Sequence, residues 1–208
     1  MTKSLIFSLI ISSTTSSISS TLISFSMMLG LAAVAEPVVM LLIGEKWYPC
    51  ILYLQLLCIA GVFHPVHSLN LTILKVKGRS DLFLKLEVIK KILAIPSIII
   101  GIYFGIEFLI LGMLFNSIIA LFINSFWSKK LINYGIFQQM KDLAIPLLVA
   151  IFSSLIVFLL GFILNWQYSF EIAAQILIGV ILFIVINEFL KISSYSSLKK
   201  MVFKRLKL

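Results

Sequence analysis

Charge is scarce in this sequence, and acidic charge scarcest of all. Asp, Glu, Lys and Arg make up 12% of the 208 residues, and only 8 are Asp or Glu. An ordinary soluble domain carries about 25% charged residues. The chain is instead 61% hydrophobic with a mean hydropathy of +1.15, more apolar surface than a globule of this length can bury. A soluble protein is excluded. Cysteine is nearly missing as well. Cys50 and Cys58 fall on one predicted helix, about 12 Å apart at 1.5 Å per residue, too far for a disulfide. They read as packing residues. No CxxC or Cys/His ligand pattern, GxSxG, Walker motif, HExxH or pair of loop aspartates occurs. Scattered carboxylates do not assemble an enzyme's constellation, so neither catalysis, a cofactor nor a metal is expected. No internal repeat is found.

Long apolar runs are what the sequence does have. A membrane-crossing helix needs about 20 mostly apolar residues, and segments near 22–43, 51–73, 82–104, 107–127, 143–164 and 170–190 qualify. The expected fold is all-α, a polytopic transmembrane bundle of about six membrane-spanning helices over 22–190, with a basic tail at 191–208. Residues 1–21 are ambiguous: an extension of the first helix, an interfacial segment or a disordered one. Lys3 precedes "LIFSLII", but that apolar core is short and "SSTTSSISST" is no cleavage site, so a cleaved signal peptide is not expected.

The connectors set the topology. "GEKWYP" (44–49) joins Gly, Pro, charge and two aromatics and suits a tight interfacial turn, with Trp47 and Tyr48 in the aromatic belt. "FGIE" (104–107) is so short that its two helices must be antiparallel neighbours. "SKKLINYGIFQQMK" (128–141) reads as a longer basic connector, and "NWQYSFE" (165–171) carries no cation. When connectors alternate between sides, every Lys and Arg except Lys46 falls on one side. Basic residues stay cytoplasmic during insertion, so both termini are expected in the cytoplasm.

The densest basic stretch, "LKVKGRSDLFLKLEVIKK" (74–91), then reads as a cytoplasmic turn entering the third helix, with Ser80 as N-cap and Asp81 in the first turn. A single aromatic, Phe83, does not make a nucleic-acid surface. The net charge of +9 suits anionic lipid headgroups instead, so membrane lipid, and no nucleic acid, is the expected partner.

Several polar residues sit at membrane depth, where they are costly and face protein or water. Glu36, in "AVAEPVVM", lies about 12 Å along the helix from Gly44 and next to the kinking Pro37. It is a candidate coupling-ion or proton site, or else a kink carboxylate held by neighbouring donors. "FHPVHSLN" (63–70) places His64, His67 and Asn70 on adjoining faces of the second helix. They suit a polar cavity wall or interhelical hydrogen bonds better than metal, for which no third ligand is in sight. Lys90 and Lys91 either snorkel to headgroups or wall a cavity for an anionic, phosphate-bearing lipid. Asn116 and Asn124 lean toward helix packing. Pro96 and Pro146 add expected kinks. Gly101 and Gly105 form a GxxxG that runs into a loop, weak evidence for dimerisation.

Together, "MLGLAAVAEPVVMLLIGEKWYPCILYLQLLCIAGVFHPVHSLNLTILKVKGRSDLFLKLEVIKK" and "IALFINSFWSKKLINYGIFQQMKDL" resemble the Wzx-like oligosaccharide flippases of the polysaccharide-transporter branch of the multidrug/oligosaccharidyl-lipid/polysaccharide exporter superfamily. The resemblance covers roughly 27–190. It implies a multi-pass protein of the bacterial inner membrane that moves polyprenyl-diphosphate-linked oligosaccharide for surface polysaccharide or lipopolysaccharide synthesis. It further implies two helical lobes around a cavity, working by alternating access. The sequence matches only the last six helices of that plan. It is therefore expected to be a fragment, from a truncated or frameshifted gene or a misplaced start, and inactive alone; a chain supplying the N-terminal lobe is a candidate partner. Two other readings compete: an integral-membrane envelope glycosyl- or acyltransferase, which would need reactive carboxylates at a membrane face, and a non-transporting module that pairs with another chain.

Overall fold

The computed structural model describes residues 20–164, 167–190, 195, 196 and 199. Among them all regular structure is helical. Helix α1 covers Ser20–Ala33 and α2 covers Ala35–Leu42, with a 64° bend between them. Pro37 explains the break. It fits the first turn of a new helix, but it has no N–H for the Ala33 carbonyl and its ring crowds that carbonyl. A 3-10 turn, Glu45–Trp47, follows. Next come α3 (Cys50–Val62) and α4 (His64–Val76), with an interruption at Phe63. Helix α5 runs Ser80–Phe104, α6 Ile106–Ile132, α7 Ile136–Leu164 and α8 Tyr168–Phe189.

Four stretches are long and apolar enough to cross a membrane: Cys50–Val76, Ile106–Ile132, Ile136–Ile163 and Tyr168–Phe189. The bent α1–α2 pair is a fifth if it is one span. The remaining expected segment, 82–104, is helical in α5, but it carries Lys85, Glu87, Lys90 and Lys91. Its composition alone does not place it in a bilayer.

The ends of the helices differ from expectation at two places. Ser80 is the first residue of α5 rather than its cap. Arg79 holds the cap position without a side-chain cap bond, and its guanidinium instead grips the Asp81 carboxylate through two hydrogen bonds of 3.0 Å. The supposed long connector at 128–141 is mostly helix. Helix α6 continues to Ile132, Asn133 closes it in the left-handed conformation (φ 61°), and α7 begins at Ile136. Lys129 and Lys130 lie in the last turn of α6, where cations favour the helix dipole; their charge had made helix look like loop.

The described residues form two compact units, one comprising 20–21 and 63–144, the other 22–62 and the residues from 145 onward. In the first unit, α5 and α6 form a close antiparallel hairpin, as "FGIE" predicted. Gly105 (φ 101°) turns the chain within one residue. Gly101 and Gly112 let the helices approach: a Cβ on Gly101 would lie 2.6 Å from Leu109 Cβ, and one on Gly112 2.6 Å from Ser97 Cβ. The glycine face is thus used inside the chain. Leu74, Leu82 and Leu86 form a core against Leu71, Ile123, Trp127 and Leu131. In the second unit α2 packs on α3 and α8, and Val34, Ala35, Val39, Cys58, Val149, Ala150 and Val157 are buried. Cys50 and Cys58 are both free thiols.

Candidate functional site

Among the described residues a polar cluster stands out in each unit. In the first, α4, α6 and α7 meet around two side-chain amides. Asn70 Nδ2 donates to Gln139 Oε1 at 2.9 Å, and Gln139 Nε2 donates back to Asn70 Oδ1 at 2.9 Å. Ser128 Oγ donates to Asn70 Oδ1 (2.5 Å) and Ser125 Oγ to Gln139 Oε1 (3.1 Å). The second N–H of each amide goes to backbone, Asn70 to Val66 O (3.0 Å) and Gln139 to Tyr134 O (3.1 Å). Asn70, Ser125, Ser128 and Gln139 are all at most 2% exposed. Both amides are satisfied, which is the condition for a buried polar network to stabilise rather than cost.

One turn further along α4 and α6 the satisfaction stops. Asn124 Nδ2 lies 3.4 Å from His67 Nδ1, but Asn124 Oδ1 and His67 Nε2 are buried with no partner. Lys90, Glu87 and His64 are the charged or titratable groups whose fields reach His67. Lys90 forms an ion pair with Glu87, one turn back on α5. Lys91 and His64 are exposed.

In the second unit, Glu36, Pro37 and Ala33 from the α1–α2 bend line a cavity of about 430 Å³. Gln55 of α3, Gly161 of α7, and Tyr168, Glu171 and Gln175 of α8 also line it. Gln55 Nε2 donates to the Ala32 carbonyl at the bend (3.4 Å) and Gln175 Nε2 to Glu171 Oε1 (3.4 Å). Glu171 is 8% exposed and Gln175 1%, and Gln175 Oε1 has no partner. Glu36, at the mouth, is exposed.

Comparison of the sequence with known proteins finds relatives. No protein-family model matches the chain, and no solved structure does. Over 154 residues, 71% of the chain, it is 32% identical to the lipopolysaccharide biosynthesis protein WzxC of Escherichia coli. The chain is homologous to part of WzxC. The matched part is 30% of WzxC's length. An uncharacterized membrane protein of the cps region of Klebsiella pneumoniae is 38% identical over 74 residues, 36% of the chain and 15% of that protein. The teichuronic acid biosynthesis protein TuaB of Bacillus subtilis is 34% identical over 61 residues, 29% of the chain and 13% of TuaB.

Within this WzxC-related frame the expected site residues fall into three places. Asn70 and His67 belong to the cluster of the first unit, His67 at its unsatisfied edge. Asn116 donates to Ser97 Oγ (2.7 Å) and stitches α5 to α6. Glu36 stands in the cavity of the second unit; because of the 64° bend, the roughly 12 Å of helix between it and Gly44 does not translate into depth. Gln139, Ser125, Ser128, Glu171 and Gln175 were not anticipated. Gln139 and Glu171 had been assigned to connectors, because polar residues at a helix end look like loop. Their signal was the spacing: Glu171 and Gln175 stand one turn apart on a helix face, as do Ser125 and Ser128.

Proposed function

We propose that the chain is the C-terminal portion of an inner-membrane flippase that translocates polyprenyl-diphosphate-linked oligosaccharide for surface polysaccharide or lipopolysaccharide synthesis. The observation that carries the reading is the homology to WzxC over 71% of the chain. Helices long enough to span a membrane and polar groups packed between them support it. The same reading makes α5 a sixth span, since its Glu87–Lys90 pair cancels charge locally. Both termini are cytoplasmic in it, with the Lys-rich ends of α4, α5 and α6 inside. A lipid-linked oligosaccharide is the substrate, and a segment or second chain supplies the first lobe. With Lys90 committed to Glu87, exposed Lys91 is the better placed of the two lysines to meet a phosphate. No step of this work is catalytic.

The test is a chimera. The matching segment of WzxC is replaced by residues of this chain in cells that lack WzxC, and the surface polysaccharide is measured. The chimera is expected to restore it and the 208-residue chain alone is not. A chimera that inserts at normal abundance but restores nothing refutes the flippase reading. Translocation by the lone chain in proteoliposomes refutes its dependence on a first lobe.

A further inference from the structure

The first unit carries lysines that no carboxylate answers. Lys75, Lys77, Lys85, Lys129 and Lys130 are exposed, and among the described residues none of them forms an ion pair. The carboxylates of α5, Asp81 and Glu87, are taken by Arg79 and Lys90. Lys75 and Lys130 stand at the ends of stretches long enough to cross a membrane, next to last in Cys50–Val76 and third from last in Ile106–Ile132. These are the same end of the unit, because Leu74, Leu82 and Leu86 pack on Trp127 and Leu131. Both ammonium groups are seated on rings. Lys75 Nζ lies 4.7 Å from the centroid of Phe83 and Lys130 Nζ 5.3 Å from that of Trp127, within reach of a cation–π attraction. An exposed apolar flank continues from this rim. Phe126 and Phe122, one turn apart on α6, are 63% and 58% exposed, and Phe126 meets the Trp127 ring edge-on at 5.8 Å.

We propose that this end of the first unit is a binding site for an anionic glycerophospholipid, its phosphate oxygens met by Lys75 and Lys130 and one acyl chain lying along Phe126 and Phe122. Cations set above an apolar flank match a phosphate set above acyl chains. A lysine ammonium meets phosphate as a point charge, and its stem lies on apolar surface while the head reaches the lipid headgroup. The rings hold the two ammonium groups in place before the lipid arrives, so less freedom is lost on binding. A zwitterionic headgroup brings its own cation and gains less from the unpaired lysines. A nucleic acid fits poorly, since bases stack on open aromatic faces and the Phe83 and Trp127 rings are half-buried with lysines over them. The lysines are neither Lys90 nor Lys91, and the occupant is a resident lipid of the bilayer and not a translocated cargo.

This inference rests on the chain lying in a membrane and not on the flippase reading: a chain that held such a lipid and translocated nothing would leave it intact. Trp127 is the reporter. With Trp47→Phe and Trp166→Phe it is the one indole left. The full chain is placed in phosphatidylcholine vesicles, and phosphatidylglycerol, phosphatidylethanolamine or phosphatidylcholine with brominated acyl chains is added at equal mole fraction. Bromine quenches a tryptophan it touches. Brominated phosphatidylglycerol is expected to quench Trp127 with an apparent affinity about fivefold or more above that of brominated phosphatidylcholine. Lys75→Gln and Lys130→Gln should each cut that preference about threefold or more, and Lys130→Arg should retain it. Lys46→Gln, in the 3-10 turn of the other unit, should leave it unchanged, and circular dichroism of each variant checks that the helices persist. Equal quenching by the three lipids overturns the proposal. So does a loss with Lys77→Gln as large as with Lys130→Gln, since the preference would then be a diffuse surface potential, open to screening by salt, and not a site. Release by soluble pyrophosphate replaces the lipid with a free anion, and stronger competition by farnesyl diphosphate replaces the diacyl lipid with a prenyl one; either overturns the choice of occupant.

Discussion

Replacing Gln139 with Leu keeps the bulk of the side chain and removes its polarity. Gln139 takes part in four hydrogen bonds, two with Asn70, one from Ser125 and one to the Tyr134 carbonyl. Hydrogen bonds between membrane helices average about 0.6 kcal/mol and reach about 1.7. Four at the average value come to about 2.4 kcal/mol. Asn70 is fully buried, so losing its reciprocal partner leaves it unable to turn to water, which raises the cost toward 4 kcal/mol by the usual penalty of about 1–3 kcal/mol for an orphaned group. A loss of about 2–4 kcal/mol is expected. The reference variant is Asn116→Ala, which breaks one bond, from half-buried Asn116 to buried Ser97, and should cost about 0.6–1.7 kcal/mol. The assay is unfolding of the chain in mixed micelles by added dodecyl sulfate. It is followed by far-ultraviolet circular dichroism and by tryptophan fluorescence, to which Trp127, packed on the Leu74–Leu82–Leu86 core, contributes. If Gln139→Leu costs no more than Asn116→Ala, the buried amide pair does not hold α4 to α7 and the reasoning fails. A double-mutant cycle with Asn70→Ala isolates the coupling, which should exceed about 0.5 kcal/mol.

Other consequences can be measured separately. Gly112→Ala drives a methyl to 2.6 Å from Ser97 Cβ and 3.2 Å from its Cα, so α5 and α6 must part; a loss of about 1–3 kcal/mol in the same unfolding assay is expected. Arg79 holds the Asp81 carboxyl down to about 2, chiefly by its hydrogen bond. A depressed carboxyl stabilises the folded turn above its unfolded value of about 3.9, and that contribution disappears as pH falls through about 2. Arg79→Ala should move the Asp81 titration, read by carbon NMR, up toward about 3.9. The Tyr134 hydroxyl donates to Asp142 at 2.8 Å, and burial and that carboxylate raise its pKa, so an ultraviolet titration should show Asp142→Asn lowering it. Cys58 is 3% exposed and Cys50 half-buried. A maleimide should label Cys50 first, and oxidant should not join the two within one chain.

Composition and connectors made the architecture legible. Low charge and long apolar runs forced membrane helices, and the one-glycine turn at 105 forced the α5–α6 hairpin. What escaped was local. Lys129, Lys130 and the Gln138–Gln139 pair made the end of α6 and the start of α7 look like loop, although a helix terminus tolerates cations and a buried amide as long as each finds its partner. That partner, Asn70, is far away in sequence and cannot be read from either helix. Glu36 was singled out by depth and by Pro37, while Glu171 and Gln175, which line the same cavity, are brought near it by packing alone. At the start of α5 the expected cap was off by one residue, Arg79 taking the place given to Ser80.

The one-residue turn at Gly105 also bears on how the chain enters a bilayer. Helix α5, proposed above as a span, carries Lys85, Glu87, Lys90 and Lys91, and a central lysine costs about 2.5–3.5 kcal/mol to insert. Joined to α6 by a single glycine, and held against it by Gly101 and Gly112, a spanning α5 would enter as half of a hairpin, its charge offset by the apolar α6 and by the Glu87–Lys90 pair.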